Sequence, residues 1–200
     1  MPLAWGSPRR TSLPRYFAFL TLVLMLATVA TRVIVMKGQG IKALHFGNID
    51  KRDFLIPPFA LFYFYVAFAA TFDLPAIGAQ PLFHSELAPW IGTLLCAAGL
   101  SLLAFSLVSF GRSFRVGIDM DHPDTLITSG AFAFSRNPIY VAFAAILMGE
   151  FLVFLSGILL AYVGAAIWLL HRQILREEEY LRGQYGLQYA EYCRRVKRYL

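Results

Sequence analysis

Apolar stretches of the length of a membrane-spanning helix alternate with shorter polar stretches along this chain. The first three apolar stretches cover residues 16–36, 54–72 and 90–110, each close to the ~20 residues of helix that cross a hydrocarbon core of about 30 Å. The alternation typical of strands is absent. Because a segment in lipid must pair its own backbone groups, this pattern predicts membrane-spanning helices. Small residues in the third stretch, such as Gly92 and Gly99, are expected to allow close helix packing.

A fourth apolar stretch, residues 138–170, is too long for one ordinary span. Its two candidate breaks are Gly149-Glu150 and Ser156-Gly157. We interpret it as a helical hairpin that turns near Ser156-Gly157, with a second helix that continues beyond the membrane. Glu150 then lies near the turn or inside the bundle. A carboxylate inside a membrane is a candidate functional residue, but the nearby turn favours a structural role here.

The composition agrees with a membrane protein and narrows the chemistry. Hydrophobic residues make up 58% of the chain, and the mean hydropathy of +0.59 exceeds that of soluble domains. The two cysteines and four histidines have neither the spacing of a disulfide framework nor that of a metal site. A phosphate-binding glycine loop and a nucleophile elbow are also absent from the sequence. We therefore predict no metal and no nucleic-acid partner, and any catalysis would use positioned polar groups.

Basic residues are distributed unevenly between the two sides of a membrane crossed five times. The segments 37–53, 111–137 and 171–200 carry 14 of the 18 Lys and Arg residues, whereas 1–15 and 73–89 carry three. Cytoplasmic loops of membrane proteins are enriched in Lys and Arg. The three basic segments 37–53, 111–137 and 171–200, the last of which includes the C-terminus, are therefore predicted to face the cytoplasm.

The last thirty residues are polar, aromatic and basic. A helix is predicted to carry the fifth span into water, interrupted at Gly183 and Gly186. Beyond these glycines, aromatic and apolar residues recur every three or four positions among basic ones, at Tyr189, Tyr192, Val196 and Tyr199. This pattern is typical of a helix lying on an anionic membrane surface.

These elements together predict an all-α integral membrane protein with about five transmembrane helices, a C-terminal helical hairpin and a cytoplasmic amphipathic tail. Residues 1–110 form an N-terminal unit of three spans. Residues 111–200 form a second unit that contains a cytoplasmic loop, the hairpin and the C-terminal helices.

The polar stretch 124–140 is the candidate centre of function. It ends with Asn137-Pro138 before an apolar run, and Asn is a good helix N-cap while Pro suits the first helical position. A helix is therefore predicted to begin here at a membrane face. Its unpaired N–H groups and positive dipole end could hold an anion. The alternative is a well-capped helix start without a ligand.

Three motifs in the second unit occur together in one family. Residues 126–140 are similar to Leu-Val-x-x-Gly-x-[Tyr/Phe]-x-x-x-Arg-[His/Asn]-Pro-x-Tyr, residues 177–181 to Glu-Glu-x-x-Leu, and residues 185–192 to Phe-Gly-x-x-Tyr-x-x-Tyr. The ending Val196-x-Arg198-Tyr199 continues the match. On these residues the chain resembles the isoprenylcysteine carboxyl methyltransferase and phospholipid methyltransferase superfamily of membrane enzymes, as a bacterial-type member.

The resemblance implies S-adenosylmethionine as cofactor, bound between the loop before the fourth span, the start of that span and the helix that leaves the fifth. The implied cofactor contacts are Asp124, Thr125, Leu126, Ile127, Phe132, Asn137, Pro138, Ile139, Tyr140 and Glu177. The residues assigned to catalysis are Asn137, Tyr140 and Glu177, and those assigned to the substrate are Gln173 and Arg136. The family's chemistry suits these residue types, because a helix N-terminus can hold the cofactor carboxylate and aromatic rings can face its adenine or sulfonium.

Three positions depart from the eukaryotic members of the family. Asn137 stands in place of a His, although Asn is also common among bacterial relatives. Asp124 likewise stands where those enzymes have His. Gln173 replaces an Arg that lies beside the substrate carboxylate, which weakens the case for prenylcysteine-type substrates.

The resemblance implies an enzyme that methylates a lipidic or small apolar acceptor, through a carboxylate, thiol or amine, at the cytoplasmic face of a bacterial inner membrane. The alternatives are an NADPH-dependent membrane reductase of the sterol-reductase type and a non-catalytic membrane protein. The acceptor and the oligomeric state are not determined by the sequence.

Overall fold

The computed structural model of the chain describes residues 12–38, 56–74, 81–110 and 126–200. Within these ranges the secondary structure is helical and contains no strand, which confirms the all-α prediction. A short 3-10 helix, Gly130–Ala133, precedes the fourth of five α-helices. The α-helices are α1 Ser12–Gly38, α2 Ile56–Thr71, α3 Ala88–Phe110, α4 Pro138–Phe154 and α5 Gly157–Arg195. Each predicted span overlaps one of them, with ends that differ by a few residues.

Among the described residues, three helices are long and apolar enough to cross a membrane, namely Leu13–Val35 within α1, α3 and α5. The apolar helices Ala60–Thr71 and Pro138–Phe154 are shorter. Large apolar side chains point away from the protein, among them Leu61, Leu94 and Val108. An outer surface of this kind is expected where lipid replaces water, and the chain is an integral membrane protein.

Helices α3 and α4 pack closely together, because glycines lie at their contact. A Cβ added to Gly92 would lie 2.5 Å from the carbonyl oxygen of Gly149, and one added to Gly149 would lie 2.6 Å from Cys96 Sγ. A Cβ added to Gly99 would lie 2.8 Å from Cγ1 of Ile146. The expectation of close packing in the third span is therefore confirmed. Leu22 of α1 and Leu159 of α5 belong to a core cluster with Ile146 of α4.

The hairpin between α4 and α5 turns where the sequence predicted. Helix α4 ends at Phe154 and α5 begins at Gly157. Leu155 takes a left-handed conformation with φ of 51°, and its carbonyl accepts a hydrogen bond of 2.8 Å from the backbone N–H of Leu82. This bond ties the turn to the segment before α3, at the end of the bundle opposite the start of α4.

Glu150 lies inside α4 and is fully buried. Cys96 Sγ is 3.9 Å from its Oε1 atom, and within the described residues its Oε2 atom has no hydrogen-bond partner. Of the two locations expected for Glu150, the structure shows the interior of the bundle.

Helix α5 is longer than predicted and bends once. Gly183 lies within the helix, so the interruption predicted there is wrong, whereas Gly186 has the non-helical angles φ 49° and ψ −119°. Glycine tolerates a positive φ because it lacks Cβ. Beyond the bend, Tyr189 and Tyr192 are buried in the protein, so this face of the helix contacts the chain itself and not a lipid surface.

Candidate functional site

The start of α4 lies against the polar half of α5. Pro138 occupies the first helical position, as predicted, and Asn137 occupies the N-cap position. The prediction that the Asn137 side chain caps the helix is wrong. Its Nδ2 atom donates instead to the carbonyl oxygen of Arg198 at 3.1 Å, because the C-terminal residues pass beside it and offer an unpaired carbonyl.

The first turn of α4 leaves backbone donors available. The first backbone hydrogen bond of the helix joins Val141 N–H to the Asn137 carbonyl. Pro138 has no N–H, and the Asn137 N–H donates to Ser135 Oγ at 3.1 Å. The N–H groups of Ile139 and Tyr140 are therefore not used by the helix's own i to i−4 bonds. They form the positive end of the helix.

Glu177 of α5 faces this helix end. Its Oε1 atom accepts hydrogen bonds from the Tyr140 hydroxyl and from Gln173 Nε2, the latter at 2.9 Å. Gln173 lies one helical turn before Glu177, so both side chains share a face. The structure thus brings together three of the residues predicted for the site: Tyr140, Gln173 and Glu177.

The neighbouring Glu178 is 2% exposed and has different partners. Arg136 Nη2 donates to its Oε1 atom at 2.9 Å, and Arg198 donates to both oxygens, from Nε at 3.1 Å and from Nη2 at 2.8 Å. Hydrogen bonding to Glu178 raises the pKa of the Arg198 guanidinium. The family resemblance assigns Arg136 to the substrate, whereas in the structure its guanidinium donates to Glu178 and to the carbonyls of Cys193 and Val196, the latter two at 3.3 Å.

Phe132 is held in place from two sides. Its ring packs edge-on against Phe110 with ring centroids 5.0 Å apart, and its carbonyl accepts a 2.7 Å hydrogen bond from the Tyr192 hydroxyl. The backbone N–H of the preceding residue, Ala131, donates a hydrogen bond to Ser109 Oγ at 3.0 Å. The short 3-10 helix is thereby fastened between the end of α3 and the end of α5.

The remaining predicted site residues divide into two groups. Leu126 and Ile127 are half-buried and lead into the 3-10 helix. Asp124 and Thr125 lie outside the described residues. In the part of the chain that is described, no group of three or more His, Cys, Asp or Glu residues could hold a metal ion.

Two residues of the sequence motifs form an ion pair in the structure, although the sequence predicts no role for them. Glu178 is the second residue of the Glu-Glu motif and Arg198 belongs to the C-terminal ending. Their positions in the motifs were a usable signal. Their partners, however, are separated from them by 42 residues for Glu178 to Arg136 and by 20 residues for Glu178 to Arg198, a pairing that spacing along the chain does not reveal.

Comparison with known proteins gives matches to methyltransferases. The family model described as phospholipid methyltransferase matches residues 87–188. Two Arabidopsis thaliana proteins named protein-S-isoprenylcysteine O-methyltransferase B and A are similar, with 28% identity over 113 residues and 25% identity over 108 residues. These alignments cover 54% and 52% of this chain. The chain spans about half the length of these relatives, 57% and 55% respectively. No solved structure matches the chain.

Proposed function

Because the chain belongs to the phospholipid methyltransferase family, we propose that it transfers a methyl group from S-adenosylmethionine to a lipidic or small apolar acceptor at the cytoplasmic face of the membrane. One observation supports this proposal most directly: the hydroxyl of Tyr140, in the first turn of α4, donates a hydrogen bond to the Glu177 carboxylate of α5. At this contact the first turn of α4 provides hydrogen-bond donors, and the Glu177 carboxylate provides an acceptor.

The donor and acceptor groups fit the polar parts of the cofactor. The N–H groups of Ile139 and Tyr140, at the positive end of α4, suit a carboxylate. Glu177 suits an ammonium group or ribose hydroxyls, since the residue is partly buried and its carboxylate is oriented by Tyr140 and Gln173. When bound, the cofactor supplies a sulfonium-activated methyl group.

The residues around this point are suited to alignment more than to acid–base chemistry. In-line methyl transfer depends on holding donor and acceptor at the right distance and angle. Tyr140 and Gln173 both bind the same Glu177 oxygen, so each restrains the direction of the carboxylate. Exclusion of water at a membrane face favours reactions in which charge is neutralised.

The acceptor is proposed as a class. The Arabidopsis relatives are named for isoprenylcysteine, which is a lipidated group, and an apolar acceptor could reach the start of α4 sideways from the bilayer. The position one turn before Glu177 carries the neutral Gln173, whose amide is bound to Glu177. A carboxylate acceptor would gain no charge pairing there, so thiol and amine acceptors belong in the class beside it.

The experiment that tests the proposal is ligand binding by the full chain purified in detergent. Isothermal titration with S-adenosylhomocysteine should give saturable binding, and titration with NADPH should give none. Binding of NADPH alone would replace the proposal by a membrane reductase. Binding of neither ligand would leave a membrane protein without this enzymatic function.

A further inference from the structure

The residues that follow α5 are fastened to the segment that leads into α4. We name residues 196–200 the C-terminal strap. The Lys197 carbonyl accepts a hydrogen bond of 2.9 Å from the backbone N–H of Arg136. The Arg198 carbonyl accepts one of 3.1 Å from Asn137 Nδ2, and Ser135 Oγ lies 3.4 Å from the same oxygen. The strap thus runs beside the N-terminal end of α4.

Glu178 joins this strap to the rest of the site. Its carboxylate binds Arg136, which precedes α4, and Arg198, which belongs to the strap. The side chains of the three residues are 2%, 10% and 32% exposed for Glu178, Arg136 and Arg198. Arg136 also donates to the carbonyls of Cys193 and Val196, so one guanidinium connects α5, the strap and the start of α4.

Both oxygens of Glu178 are bound by guanidinium groups of the protein. Oε1 accepts from Arg136 and Arg198, and Oε2 accepts from Arg198. A buried carboxylate is stable when cations and hydrogen bonds compensate its charge, and two guanidinium groups do so here. Glu177 points elsewhere because adjacent helical residues are about 100° apart around the axis.

We propose that Glu178 is a positioning residue of the methyl-transfer site, which acts through Arg136 and Arg198 to hold the C-terminal strap against residues 135–137 and thereby sets the start of α4 opposite Glu177. This inference rests on the proposed function. The strap and Glu178 hold the site in position, whereas Glu177 contacts the ligand.

Two variants remove the connection at different points, and a third serves as control. Arg198→Ala removes the half-exposed partner but keeps the carbonyl that Asn137 binds. Glu178→Gln removes the buried charge. Arg182→Ala is the matched control, because Arg182 Nη2 lies 3.9 Å from the same carboxylate but its side chain is 62% exposed.

Hydrogen exchange of the backbone amides in residues 131–137 reports the position of the segment without any ligand. In Arg198→Ala and Glu178→Gln, the Arg136 amide should exchange at least about tenfold faster, because its bond to Lys197 loosens. The affinity for S-adenosylhomocysteine should fall about tenfold. Arg198→Lys should restore most of that affinity, and Arg182→Ala should match the parent in both measurements.

A double-mutant cycle makes the test specific. The variant with both Glu178→Gln and Arg198→Ala should lose no more affinity than Glu178→Gln alone, since both changes break one network. Unchanged exchange in both single variants would overturn the inference. Loss of affinity by Glu178→Gln without faster exchange would also overturn it, because Glu178 would then be a ligand.

The same experiment separates this inference from the proposed function. If the parent chain binds no S-adenosylhomocysteine, the proposed function fails. The exchange of residues 131–137 then still decides whether Glu178 holds the strap. If the parent binds and the exchange rates do not respond, the function stands and the positioning role fails.

Discussion

At the residue scale, two adjacent glutamates of α5 have different surroundings. Glu177 accepts hydrogen bonds from neutral groups, the Tyr140 hydroxyl and the Gln173 amide. Glu178 is surrounded by guanidinium groups. No cation of the protein pairs with the Glu177 carboxylate in these contacts, and Glu177 is therefore the better candidate for contact with a cationic group of the cofactor.

We expect Glu177→Gln to lower the affinity for S-adenosylhomocysteine by about 10- to 100-fold, since a hydrogen bond to a charged group contributes about 1.5–3 kcal/mol. The amide oxygen of the new side chain can still accept from Tyr140, so the fold should be retained. Glu179→Gln is the control, because Glu179 is exposed on the same helix. Isothermal titration measures both, and equal affinities in the two variants would make the acidic run a solvated helix face.

Asn137 illustrates how a residue's role depends on what passes beside it. The sequence predicted a capping side chain at this position, and the amide binds the Arg198 carbonyl instead. The helix still begins at Pro138, because the fixed φ of proline suits the first helical position without help from a cap. The side chain is therefore available to hold the C-terminal strap.

At the scale of elements, the contact between α3 and α4 supports the site. Gly92, Gly99 and Gly149 allow the two backbones to approach until no room remains for a methyl group. In lipid, where apolar side chains gain little from leaving the solvent, close backbone packing is a main source of helix association. The position of α4, and with it Tyr140 at its first turn, depends on this contact.

We expect Gly149→Ala to lower the free energy of unfolding by about 1–3 kcal/mol, the usual cost of overpacking. The added Cβ would lie 2.7 Å from the Gly92 carbonyl and 2.9 Å from the Cys96 amide nitrogen, and backbone atoms cannot rotate away. Gly164→Ala on α5 is the matched control, since a Cβ there would meet nothing within 4 Å. Thermal unfolding in detergent compares them, and an unchanged melting temperature for Gly149→Ala would contradict this account of the packing.

At the scale of the whole molecule, the proposed site lies at one end of the bundle. The start of α4, the polar half of α5 and the strap meet there, and the turn between α4 and α5 lies at the opposite end. A cofactor made in the cytosol can reach the site only if the first end faces the cytoplasm. The distribution of Lys and Arg predicts this orientation.

We therefore expect a reporter that is active only in the cytoplasm to function when fused after Leu200, and to be silent when inserted at His84 between α2 and α3. A reporter that is active only outside the cytoplasm should give the opposite result at both positions and serves as the control. Activity of the cytoplasmic reporter at His84 alone would place the candidate site on the wrong side for the proposed function.

Much of the architecture followed from the sequence. The hairpin turn near Ser156-Gly157 was predictable because an apolar run of that length cannot cross a membrane once, and the start of α4 because Pro138 restricts the backbone locally. The bend at Gly186 was predicted and the one at Gly183 was wrong. A glycine permits a bend but does not require one, and the surrounding contacts decide at which glycine the helix bends.

The sequence by itself determined the elements: five helices, their apolar surfaces and the motifs that identify the family, since each depends on local composition and spacing. Only the tertiary structure decided which polar groups meet. The Asn137 side chain, predicted to cap a helix, binds the C-terminal strap. Arg136 binds Glu178, and Tyr189 and Tyr192 are buried in the protein. The physical reason is that a buried polar group takes the partner nearest in space, and helix packing and chain reversal set that distance, not separation along the chain.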